Sequence, residues 1–163
     1  MRHATSAILS AITLCAIPAS DVTAQQAELR LTPAEIAATV KGGAGAGTSG
    51  VAGIRTTTLS GDPSAAGPYT IEIRVPANTQ IAAHAHRDDR SAVVVSGTWF
   101  FGYGAKASRA ATRALAPGSF YTEPGGKPHF AMTGAEPAVV YITGIGPTST
   151  QYVDSLPPRP RKL

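Results

Sequence analysis

Three histidines carry the chemistry available to this sequence. His84 and His86 stand one residue apart in Ile81-Ala82-Ala83-His84-Ala85-His86, and His129 follows Gly125-Gly126-Lys127-Pro128. Side chains two apart on a strand leave the same face, so His84 and His86 project together. Two adjacent imidazoles can grip a metal ion, and His129 is placed to be a third ligand. Imidazole suits several divalent ions, so the expected cofactor is one divalent transition metal: Fe, Mn, Ni, Cu or Zn. A single histidine is more often a packed core residue. Here, however, the only other histidine is His3, at the extreme N-terminus. No serine stands beside a base in a nucleophile arrangement, and the one cysteine, Cys15, lies far upstream.

The elements that must hold these rings read as strands. Ile71, Ile73 and Val75 alternate with Thr70, Glu72 and Arg74, the pattern of a strand with one buried face. Similar runs fall near 51–59, 69–75, 80–86, 91–96, 98–103, 112–115, 119–122, 128–132 and 138–144. Turn signals separate them: Gly61-Asp62-Pro63, Val75-Pro76-Ala77-Asn78, Ala116-Pro117-Gly118 and Pro124-Gly125-Gly126-Lys127-Pro128. Many short strands with regular turns predict an all-β antiparallel sandwich or barrel. Trp99, Phe101 and Tyr103 alternate along one strand and are expected to fill one face of it.

Residues 1–24 have the layout of a secretory signal peptide: basic Arg2, an apolar run from Ala7 to Ile17, Pro18, then Val22-Thr23-Ala24. The run is shorter than the ~20 apolar residues a bilayer span needs. Cleavage after Ala24 is expected, giving a periplasmic or secreted protein with no membrane partner. Cys15 would leave with the leader, so the exported domain would rely on its core without disulfides. A helix is expected over 31–42, with Thr32 as N-cap, Pro33 at the first position and Glu35 completing a capping box. The glycine-rich run 42–50 ends in no Lys-Ser/Thr and follows no strand, so it reads as a flexible connector rather than a phosphate cradle. The expected division is therefore 1–24 leader, 25–50 helix and connector, 51–153 barrel, 154–163 tail. The formal charge is +4, and Arg159, Arg161 and Lys162 contribute three of those charges from the proline-rich end. The body has no basic stripe, which argues against nucleic acid as a partner.

Spacing adds a resemblance. His84-x-His86-x3-Arg90-x6-Gly97 and Gly118-x5-Pro124-x-Gly126-x2-His129-x3-Thr133 resemble the two motifs of the cupin superfamily, over about residues 67–147. The resemblance is closest to small single-domain bacterial cupins, with Ser96-Gly97-Thr98 after the first motif and a late Gly144-Ile145-Gly146-Pro147. It implies a jelly-roll barrel and maps the family's metal ligands onto His84, His86 and His129. The chain departs from the pattern twice: the motif glutamate is Arg90, and the motif asparagine is Thr133. Arginine stays protonated and cannot ligate a cation.

Three arrangements follow. The histidines act alone as a facial set; or Asp88 or Asp89 swings in as the missing carboxylate; or the rings merely line a pocket. Arg90 either points inward to grip a substrate carboxylate or pairs outward with Asp88 or Asp89. Glu123 is a candidate base or a partner of His129, but as a turn residue it is expected to be exposed. Arg90, Tyr103, Glu123 and Thr133 are thus the candidate substrate contacts. The expected activity is a metal-dependent, dioxygenase-like reaction on a small anionic or chelating organic molecule. The alternative is a non-catalytic metal- or ligand-binding sensor. A homodimer through edge strands is also consistent with the resemblance.

Overall fold

The computed structural model describes residues 27–39, 41–42 and 46–153. The expected leader (1–24) and tail (154–163) lie outside the described residues. The expected strands form with ends shifted by a residue or two, except that the run expected near 51–59 becomes strand only from Arg55, after a turn at 52–53. The first sheet holds β1 (Lys41–Gly42), β2 (Arg55–Ser60), β3 (Gly67–Val75), β5 (Arg90–Ser96), β8 (Phe120–Glu123) and β10 (Ala138–Gly146), in the order β1-β2-β3-β10-β5-β8. The second holds β4 (Gln80–Ala85), β6 (Trp99–Tyr103), β7 (Arg113–Leu115), β9 (His129–Met132) and β11 (Gln151–Tyr152), in the order β11-β4-β9-β6-β7. Every pairing is antiparallel. The two inner faces enclose one core, with Tyr69, Ile71, Ile73, Val75, Val140 and Ile142 from the first sheet and Ile81, Trp99, Phe101 and Ala131 from the second. This is the all-β jelly roll expected from the turns and alternation.

The expected helix is shorter than its sequence signals. α1 spans Pro33–Ala38, with Thr32 and Glu35 forming the reciprocal capping box. The chain then pairs as β1 with β2 instead of extending the helix to Gly42. Among the described residues no helix is long and apolar enough to cross a membrane.

Two local features position the site. In the pairing of β4 with β9, Ile81 faces Ala131 and His84 faces His129, so three steps on β4 match two on β9. That β-bulge adds one residue and switches the inward parity. Ile81 points into the core before it, whereas Ala83 joins Phe130 and Met132 in a separate cluster. The second feature is a close approach. A Cβ on Gly144 of β10 would lie 2.5 Å from Asp88 Oδ2 and 2.6 Å from the Tyr69 hydroxyl oxygen. Only glycine lets the Tyr69–Asp88 hydrogen bond, 2.7 Å long, cross there.

Candidate metal centre

His84 on β4, His86 just beyond it and His129 at the start of β9 converge at one end of the barrel, all three buried. Their ring centroids are 4.5 to 5.1 Å apart. Each Nδ1 lies against a backbone carbonyl: His84 against Ala82 O at 2.7 Å, His86 against Ser149 O at 2.7 Å, His129 against Lys127 O at 3.1 Å. A carbonyl only accepts, so each Nδ1 carries the proton and each Nε2 presents its lone pair. One ligand atom from each ring lies within 4.8 Å of the others. A shared ion would hold each at roughly the 2.0–2.1 Å of a metal–imidazole bond. His129 Nε2 is buried with no hydrogen-bond partner, which is costly for a polar atom unless something binds it. Burial, then the neighbouring His129, lowers the His84 pKa to about 4; burial, then Arg90, lowers His86 to about 3. Burial lowers His129 as well. All three rings are therefore neutral near pH 7 and able to donate. The donor set fits a divalent transition ion.

The acid–base pair beside the rings corrects two expectations. Glu123 is not an exposed turn carboxylate: at the end of β8 it is 4% exposed and faces the histidines. Arg90 is not paired with Asp88 or Asp89. It is 5% exposed, and its Nε donates to Glu123 Oε2 at 2.6 Å while Nη2 contacts the same oxygen. The reason is register, because Arg90 and Glu123 are direct partners across β5 and β8. Burial opposes the charge on both groups, but their mutual attraction prevails. It holds the Glu123 pKa at about 2 and raises that of Arg90. Arg90 Nη2 also lies 2.7 Å from His86 Nε2, and Nη1 donates to Gly47 O at 2.8 Å.

Asp88 and Asp89 have other work. Asp88 accepts from the Tyr69 and Thr148 hydroxyls at 2.7 and 2.5 Å, and Asp89 accepts from Gly125 N at 2.7 Å. Neither turns toward the histidines. Thr133 ties two loops, donating to Pro76 O at 2.6 Å and accepting from Thr79 N at 2.9 Å. Tyr103 is 55% exposed and donates to Thr122 O at 2.7 Å. It does not join Trp99 and Phe101 in the core, and neither it nor Thr133 lines the histidine cavity.

That cavity is about 30 Å³ in volume, room for about one water. Its lining joins His84, His86, His129, Arg90 and Glu123 to apolar Ile73, Ile81, Trp99 and Phe101. Over it lies the 46–50 segment, whose glycines predict a flexible connector. Gly47 and Thr48 are buried, and the segment is fastened by Arg90 to Gly47 O, by the Thr150 hydroxyl to Thr48 O at 2.8 Å, and by the Tyr152 hydroxyl to Ser49 O. Gly47 takes φ +77°, and a Cβ there would lie 2.8 Å from Thr148 Cγ2. Its glycine thus permits close packing rather than looseness. The strand β11 that carries Tyr152 had no alternating signal to announce it.

No family model matches the sequence, and no curated protein matches it. Solved structures do. An RmlC-like cupin from Shewanella frigidimarina NCIMB 400 aligns with TM-score 0.54 at 16% identity, over 74% of this chain and 93% of its own. The polyketide cyclase RemF from Streptomyces resistomycificus aligns with TM-score 0.53 at 19% identity, over 61% of this chain and 70% of its own. The DMSP lyase DddQ from Ruegeria pomeroyi DSS-3 aligns with TM-score 0.50 at 20% identity, over 58% of this chain. This chain spans about half of that lyase, 47%. At such identities the shared property is the fold, and neighbours of differing chemistry share it. The chain folds as a cupin, a two-sheet jelly roll with three histidines turned inward at one end.

Proposed function

We propose that this protein is an exported cupin that binds one divalent transition metal through His84, His86 and His129 and uses it as an enzyme on a small anionic or chelating organic molecule. The observation that carries the reading is the orientation of the rings. Three Nδ1–H groups are spent on backbone carbonyls, which leaves the three Nε2 atoms as the metal-side donors, that of His86 now accepting from Arg90 Nη2. When bound, the ion would supply Lewis acidity and, if redox-active, dioxygenase-type chemistry. The chain's own residues set the terms around it. The Glu123 carboxylate and the Arg90 guanidinium cancel in charge, so a dication's charge stays uncompensated and favours an anionic ligand. The apolar walls from Ile73, Ile81, Trp99 and Phe101 exclude water and suit a small organic body. Arg90 is engaged by Glu123 and Gly47 in this structure, so substrate recognition rests first on the metal site and these walls.

A non-catalytic metal-binding or sensor role is the second reading. The cavity's small volume beneath the fastened 46–50 segment favours it, because a substrate must first displace that segment. The test is elemental analysis of untagged protein reconstituted with a mixture of divalent ions and then desalted. About one equivalent of metal in the wild type, lost in His84→Ala, supports the site. Wild-type protein that retains none overturns the metal reading. Oxygen uptake or spectral bleaching on adding small carboxylates, thiols or diketones then separates an enzyme from a binder.

A further inference from the structure

A carboxylate stands beside the three histidines, but on the wrong strand for the motif. Position 90, where the resemblance places a ligating glutamate, holds an arginine. Its direct neighbour across the β5–β8 ladder is Glu123, the one carboxylate among the described residues that line the cavity. Glu123 Oε2 lies 3.7 Å from His86 Nε2 and 3.6 Å from His129 Nε2. These are the ligand-side nitrogens. The Nδ1 atoms, through which an outer carboxylate orients a ligating histidine, are already held by Ala82, Ser149 and Lys127 carbonyls. Glu123 therefore stands on the ligand side of His86 and His129 rather than behind them. Among the described residues, however, the donors that all lie within 4.8 Å of one another are those of the three histidines. Arg90 Nη2 touches both Glu123 Oε2 and His86 Nε2, so a tethered cation of the chain lies where two of the donors point.

Resting on the metal-binding reading above, we propose that Glu123 supplies the carboxylate ligand that position 90 lacks, and that Arg90 competes with the metal for Glu123 and His86. Exchange of charge between strands keeps the balance of the site. The carboxylate moves one strand sideways, and the arginine that took its place holds it ready. Binding of an ion requires Arg90 to release Oε2 and Nε2, leaving Gly47 O as its remaining anchor.

Titration with Co²⁺ followed by its visible absorption tests this in wild type, His84→Ala, Arg90→Gln and the double variant Arg90→Gln/Glu123→Gln. Removing the competitor should tighten Co²⁺ binding in Arg90→Gln by about tenfold or more, since the competent conformation no longer has to displace a cation. The double variant should then bind more than about 100-fold more weakly than Arg90→Gln, above the roughly 10–100-fold of outer-shell effects, with a changed absorption spectrum. Affinities of the two variants within about threefold, well below even an outer-shell effect, with identical spectra, overturn the assignment of Glu123. Arg90→Gln no tighter than wild type overturns the competition. Wild type that binds no Co²⁺ overturns the metal reading itself and this inference with it, whereas binding that disappears in His84→Ala leaves the two questions separate. Should the variants fold poorly, a crystal of wild-type protein grown with Co²⁺ decides. Glu123 Oε2 about 2.0–2.2 Å from the ion supports the ligand role, and a distance beyond about 3 Å, outside any metal–oxygen bond, overturns it.

Discussion

Glu123→Leu is the perturbation that interrogates the buried pair most directly. It removes the only carboxylate paired with Arg90 among the described residues and leaves a guanidinium 5% exposed in the barrel. Breaking a buried pair from one side costs about 3–5 kcal/mol. Gly47 O and His86 Nε2 still accept from Arg90, so the lower end applies, about 3 kcal/mol. At a urea slope of about 1.5 kcal/mol per molar, the midpoint should fall by about 2 M. The assay is urea unfolding at pH 7.5 with chelator present, followed by the fluorescence of Trp99. That residue is the sole tryptophan, 2% exposed and donating to the Tyr121 hydroxyl at 3.1 Å. The companion Arg90→Met/Glu123→Leu removes both charges and keeps apolar volume, so it should return to within about 1 kcal/mol of wild type or exceed it. A single variant as stable as wild type would refute the claim that these charges depend on one another. A double variant as unstable as the single would trace the loss to packing.

Two further predictions follow from burial and close approach. The buried imidazoles make the protein acid-sensitive. Their folded pKa values lie below the usual 6.5, at about 4 for His84 and about 3 for His86, so the unfolded chain binds more protons between these values. Stability is full above pH 6.5 and falls as pH drops toward the folded values, by about 2 kcal/mol per ring at pH 5. Urea midpoints with chelator at pH 7.5 and 5 should show it, and His84→Gln/His86→Gln should flatten the difference; an unchanged slope refutes the assignment. Gly144→Ala would press its methyl against Asp88 and Tyr69. It should cost about 1–3 kcal/mol as an overpacked core site, read as a lowered thermal midpoint, whereas Ile145→Ala, 62% exposed at its side, should cost little.

Much of the fold could be read from alternation and turns, because a strand with one buried face leaves a period of two in the sequence. Thr32 and Glu35 announced the helix start, and their capping box is present. What escaped reading had non-local causes. The helix end depends on β1 pairing with a strand more than ten residues later. Tyr152 is placed by Ser49, across the chain. The bulge in β4 is invisible in the sequence: Ile81 and His84 differ in parity, and only the register against β9 brings both inward. The histidines showed that they share a face with each other, but not which face it was.

Position 90 shows the same limit at the level of charge. Taken along the chain, an arginine in place of a ligating glutamate looks like a lost site, and its nearest acids, Asp88 and Asp89, look like its partners. Across the sheet the arithmetic differs. Three neutral imidazoles, one carboxylate and one guanidinium sum to zero, so the inner end of the barrel is balanced without help from an ion. A three-histidine site with a lone glutamate would carry a negative charge into a dry core and would lean on its metal for stability. Here Arg90 meets that need. Folding is thereby separated from metal loading, and an ion must win its place against a cation covalently tied to the chain.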